Sequence, residues 1–142
     1  MRPPRTREQR RDDTLRRLEQ DVDAWVATAG EGGTPSLAPF SFLWDGAALL
    51  FAMPASGPTA RNLLASGKVR LGLGQTRDVV LIEGNAQAIP ASEIPAETGF
   101  DPRELADPYL YFRIEPRRIQ AWREVNELAG RDLMRDGAWL DP

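Results

Sequence analysis

The residues best suited to binding chemistry lie in one stretch, residues 54–74, PASGPTARNLLASGKVRLGLG. Ser56, Thr59 and Arg61 crowd a loop that leads into a short helix. A helix start presents free N–H groups and a partial positive charge, so hydroxyls and a guanidinium beside it can cradle a phosphate. The plainer reading makes Thr59 an N-cap and Arg61 a solvated helix residue, because capping hydroxyls recur at helix starts. Residues 61–66 are expected to be helical, with Leu63 and Leu64 inward and Gly67 as the stop. Residues 68–74 then alternate, with Val69, Leu71 and Leu73 on one face. Arg70 falls on the other face, as a ligand contact or as a surface strand residue.

The missing residue types narrow the chemistry further. The 142 residues contain no histidine and no cysteine. That excludes Ser-His-Asp and Cys-His nucleophiles, histidine-type zinc sites, histidine-ligated haem and disulfides. No carboxylates stand at catalytic spacing, so no general acid or base is named and no metal site is expected. An enzyme built from this chain would take its difficult chemistry from a bound cofactor. A net charge of −3 argues against a dedicated nucleic-acid binder. Seven arginines fall within residues 1–17, either touching an anionic partner or forming a solvated tail that leads into a helix. No apolar run approaches the ~20 residues of a membrane span and no secretory signal core is present, so a cytoplasmic protein is expected.

The elements that must position these residues read mostly as strands. Thr6 with Gln9, or Asp12 onward, can open a first helix, on which Leu15, Leu18 and Val22 form a narrow apolar stripe. Residues 24–29 make a first strand, anchored by Trp25, and Glu31, Gly32, Gly33 and Thr34 a turn. Residues 35–44 make a second strand. Asp45-Gly46 is a hairpin signal, and residues 47–52 return as a third strand. After the central stretch, residues 79–89 form a fifth strand in which Gly84 marks a bulge or a close backbone approach. Glu83 beside it is expected to pair with an arginine. Residues 90–108 read as loop, and residues 109–121 as a sixth strand with Pro116 at an edge or bulge. The tail is expected to be short-helical or irregular.

Six strands in antiparallel order with one inserted helix describe a mainly β protein, a small barrel with a helix at one end. Its interior leaves limited room, so a planar cofactor would fit better in a groove between two barrels. The domain organisation is an arm and helix over residues 1–21, a barrel over 22–122, and a tail over 123–142 that packs on the barrel or on a partner.

In this order, the glycine-containing hairpin before PSLAPFSFLWDG, the segment SGPTARNLLASGKVRLGLG, the strand VVLIEGNAQAI and the late YFRIEPRRIQAWRE resemble the pyridoxamine 5′-phosphate oxidase-like superfamily. These are split β-barrels that bind flavin or deazaflavin. The resemblance implies a homodimer with cofactor sites at the interface, and a hydride-transferring oxidoreductase acting on a small molecule. The cofactor would be flavin mononucleotide (FMN) or, alternatively, the deazaflavin coenzyme F-420. Ser56, Thr59 and Arg61 would grip its phosphate, Lys68 or Arg70 would add a basic contact, and Pro39, Phe40, Ser41 and Phe42 would line its ring. Trp122 would stand near the dimer seam. Two rivals share the fold: a non-catalytic ligand-binding module, and a dimeric scaffold without cofactor, which Pro58 favours because it has no N–H to offer a phosphate.

Overall fold

The computed structural model describes residues 1–95 and 108–142. It opens with helix α1 (Arg7–Gln20), followed by strands β1 (Asp23–Ala29), β2 (Pro35–Trp44) and β3 (Leu49–Pro54). Helix α2 (Pro58–Ser66) leads into β4 (Lys68–Gln75), β5 (Asp78–Ile89) and β6 (Tyr109–Trp122). A short hairpin, β7 (Asp132–Arg135) and β8 (Ala138–Trp139), ends the chain.

The strands form one sheet in the order β3-β2-β1-β4-β5-β6-β7-β8, and a β3–β6 pairing closes the first six into a barrel. Every pairing is antiparallel. The expected six-stranded antiparallel barrel with one inserted helix is therefore present. Period-2 alternation fills it: Val26, Phe42, Phe51, Leu71, Ile82, Phe112 and Ile114 all point inward. The β2–β3 ladder runs only from Trp44↔Leu49 to Phe42↔Phe51, and α2 packs across β1 to β5.

Several local expectations change. The N-cap of α2 is Gly57, not Thr59, and Pro58 occupies the first turn, where its missing N–H costs nothing. Thr59 lies inside the helix and is buried with Ala60 and Leu63. Leu64 points outward at 57% exposed, because the adjacent residue on a 3.6-residue helix cannot share the face of Leu63. Gly67 does stop the helix, at φ 68°. Trp25 is not a core anchor: it faces outward and is 52% exposed.

The bulge at Gly84 is real. Glu83 pairs with Arg118 but Gly84 with Pro116, which leaves Arg117 as the extra residue. A side chain at Gly84 would meet the Glu115 carbonyl oxygen and Ile114 Cγ2, each at 2.8 Å. Pro116 also falls where β6 stops pairing with β3 and has not yet begun to pair with β7, so its missing N–H breaks neither ladder.

Both ends of the chain fold back on the barrel. Thr6 and Gln9 form the capping box that starts α1. Leu18 is buried, but Val22 lies beyond the helix and is exposed, so the stripe is shorter than read. The arginine arm is not a solvated tail. Arg5 pairs with Glu127, Arg17 with Asp78, and buried Arg10 donates to the carbonyls of Ala121 and Glu127. The C-terminal segment is short-helical only over the single 3-10 turn Val125–Glu127. Asp136 and Gly137 both adopt positive φ, 51° and 78°, and their turn makes β7 and β8 a hairpin that extends the sheet from β6. The expected loop at 90–108 falls largely outside the described residues.

Candidate functional site

The start of α2 is a turn with spare donors. No side chain caps it, Pro58 has no N–H, and the Gly57 N–H donates to the Pro54 carbonyl at 3.2 Å. The Arg61 N–H makes the first helical bond, to Gly57 at 3.2 Å. The amides of Thr59 and Ala60 are thus left without a helical partner. Ser56 and Arg61 are exposed beside them, and Arg61 has no carboxylate partner among the described residues. An oxyanion matches the Ser56 hydroxyl and the Arg61 guanidinium better than a neutral group does, since the helix end adds its partial positive charge. Thr59 and Ala60 are themselves buried, so the exposed polar groups of this turn are the Ser56 hydroxyl and the Arg61 guanidinium.

Asn62, which the sequence reading passed over, locks this helix in place. Its Nδ2 donates to the Thr28 hydroxyl at 3.0 Å, tying α2 to β1. An asparagine one turn from a helix start carries no signal without the facing strand.

The other expected contacts divide between the barrel interior and its outer wall. Phe42 is in the core, with its ring centroid 6.0 Å from that of Phe51. Phe40 is half-buried against the same core, so these two rings pack inward. Pro39 and Ser41 are on the outer face, where Ser41 donates to Asp23 at 2.7 Å. Lys68 and Arg70 also face outward, at the opposite end of α2 from Ser56. Nine helical residues separate the two groups, roughly 14 Å, so one phosphate cannot reach both within a chain. Arg70 stands directly across from Glu83 and forms an ion pair with it, as expected for Glu83.

Trp122 belongs to the same outer wall but to the far end of the barrel. It pairs with Val79, while Lys68 pairs with Asn85, six residues or roughly 20 Å along β5. It is half-buried, with the Arg131 guanidinium 5.5 Å from its ring centroid. Between these ends an apolar belt crosses the wall. Pro39, Trp25, Gly72 and Leu81 are successive partners on β2, β1, β4 and β5. Leu37 extends the belt and is 64% exposed. The missing side chain at Gly72 leaves room for Trp25 and Leu81 to lie side by side.

The strongly shifted acids lie elsewhere and serve the fold. Arg5 hydrogen bonds draw Glu127 down to about 2 against the opposing effect of burial. Burial also opposes ionisation of Asp132, but Arg135, Arg118 and Gln120 outweigh it and bring that group to about 2. Among the described residues no helix is long and apolar enough to cross a membrane.

The architecture recurs among solved structures. A Clostridium acetobutylicum protein related to general stress protein 26 of B. subtilis, of the pyridoxinephosphate oxidase family, superposes with a TM-score of 0.69 at 16% identity, covering 85% of this chain and 92% of that one. An F420 reductase gives 0.55 at 20% identity, covering 72% and 91%. HutZ, the heme storage protein of Vibrio cholerae, gives 0.64 at 16% identity, covering 78% and 93%. At such identities the likeness is one of fold. No curated protein matches the sequence. The family model for pyridoxamine 5′-phosphate oxidase, however, matches residues 12–123, the whole barrel and most of α1, and the chain belongs to that family.

Proposed function

We propose that this protein is a flavin- or deazaflavin-dependent oxidoreductase that works as a homodimer and transfers hydride to or from a small molecule. The observation that carries this reading is the start of α2, where exposed Ser56 and Arg61 flank a helix end that no side chain caps. That pair suits the phosphate of FMN, and the outer face of the Pro39–Phe42 segment, formed by Pro39 and Ser41, suits the edge of a flat ring. When bound, the cofactor supplies the hydride chemistry; the chain supplies anchoring, orientation and exclusion of water. Coenzyme F-420 is the alternative occupant. The chain's lack of histidine and cysteine favours either over haem, which would find neither of those axial ligands.

The second copy would dock on the belt of Leu37, Pro39, Trp25 and Leu81. Isolated apolar side chains on a surface need no explanation, but a contiguous row across four strands does.

A second reading, a non-catalytic ligand-binding module, draws on the haem-storing relative of the same fold. One titration separates the possibilities. The purified protein is titrated with FMN and with F-420, followed by flavin fluorescence, and any complex is then offered a reduced nicotinamide. Saturation near one cofactor per chain, lost by roughly tenfold in Ser56→Ala/Arg61→Ala, is expected. Saturation without turnover of any donor would favour the binding module. Equal affinity in the double variant would remove the α2 assignment.

A further inference from the structure

At the α2 end of the outer wall lies a groove of about 490 Å³ that the phosphate turn does not use. Ala27 and Ala29 of β1 and Gly84 of β5 form part of its lining. These residues are small, so the longer side chains of Lys68, Arg70, Asn85 and Arg117 stand around a hollow. One carboxylate is present, Glu83, and Arg70 neutralises it from the directly facing position. Lys68 and Arg117 have no carboxylate partner among the described residues, which leaves the groove with an excess of positive charge.

Arg117 is there because of the bulge. It is the extra residue between Pro116, opposite Gly84, and Arg118, opposite Glu83. Bulges re-aim a side chain and recur beside functional sites. Here the bulge brings Arg117 to the rim of the groove formed by β1, β4 and β5, with its guanidinium resting over Gly137. Asn85, paired with Lys68 across the β4–β5 ladder, adds an uncharged amide that can donate.

We propose that this groove is a second anion site, which binds the carboxylate or phosphate of a small molecule through Lys68, Arg117 and Asn85. It is separate from the α2 start and shares no residue with it. The inference holds whichever cofactor the protein takes. If the protein is an oxidoreductase, the groove makes its substrate an acid or a phosphate ester.

Lys68 is the only lysine in the chain, so amine acylation reports on this site alone, with the α-amine as internal control. The full-length protein is acylated with a limiting reagent, and the rate at Lys68 is read by mass spectrometry. Inorganic phosphate, citrate or sodium chloride is added at matched ionic strength. Phosphate, citrate or both are expected to slow Lys68 while leaving the α-amine unchanged, and which one acts tells phosphate from carboxylate. In Arg117→Gln the protection should fall by roughly tenfold with the unliganded rate unaltered. Equal protection by sodium chloride would reduce the effect to screening and overturn the proposal, as would full protection in Arg117→Gln. Protection by FMN equal to that by phosphate would also overturn it, by making the groove part of the cofactor site.

Discussion

Arg5 and Glu127 are 122 positions apart and are joined by a two-pronged ion pair, Nη2 to Oε1 at 2.8 Å and Nε to Oε2 at 3.0 Å. The Arg5 N–H donates to the same carboxylate at 2.8 Å and the Arg123 N–H at 2.9 Å. Four donors on one buried carboxylate pin the arm before α1 to the turn after β6. Arg10 reinforces the junction through the carbonyls of Ala121 and Glu127.

Removing one side of that pair should be costly. Arg5→Ala leaves a buried carboxylate without its counter-ion, and the expected loss in urea unfolding is roughly 3 kcal/mol. Arg16→Ala, which breaks only an exposed pair with Asp13, should cost less than about 0.5 kcal/mol. Equal effects of the two substitutions would show that the arm is not anchored as described.

Acid should reveal the same junction. The folded pKa of Glu127, about 2, lies below its ordinary 4.5. The unfolded chain therefore binds the proton more readily, and the stabilisation is complete above the unfolded value and lost as pH falls toward the folded one. Asp132 follows the same sign, from 3.8 to about 2. Unfolding free energy should be level near neutrality and fall steeply below about pH 4.5, with Glu127 alone contributing on the order of 3 kcal/mol. Glu127→Gln should flatten that slope.

The bulge gives a steric prediction. A Cβ at Gly84 would lie 2.8 Å from a backbone oxygen, which cannot swing aside as a side chain can. Gly84→Ala is expected to cost roughly 1–3 kcal/mol, measured by thermal or urea unfolding. It should also lower anion protection at Lys68, because the bulge positions Arg117. A neutral Gly84→Ala would mean that β5 and β6 approach less closely than described.

The belt makes a prediction about assembly. Trp25→Glu and Leu81→Glu place a charge on a surface already open to water in the single chain, so monomer stability should change by no more than about 0.5 kcal/mol. In sedimentation velocity, both should shift a dimer to monomer. A wild-type chain that sediments as a monomer at all concentrations would remove the belt as an interface.

Much of the fold was legible because it follows from local rules. Alternation in residues 68–74 gave a strand that needed only a partner, and Thr6 with Gln9 specified a helix start by its own side chains. Gly67 announced a stop because its backbone is left-handed, and Gly84 a bulge because a side chain there would strike the neighbouring strand. The Asp136-Gly137 turn was equally local and was overlooked, although it is the same dipeptide as Asp45-Gly46. Weighing its turn signal above the sparse apolar residues around it would have identified the last hairpin.

The order of elements and the motif succession sufficed to identify a split barrel of the pyridoxamine 5′-phosphate oxidase family, because strand period, turn chemistry and helix stops are written in neighbouring residues. Which wall Trp25 faces, whether Arg5 and Arg10 are free, and which cations share a groove were decided only by tertiary structure. Each depends on residues far apart in sequence: Glu127 for Arg5, the face that closure turns inward for Trp25, and the one-residue slip opposite Gly84 for Arg117. Pairing energies and steric exclusions across such distances leave no periodic trace in the chain, so the geometry of charge had to come from the folded barrel.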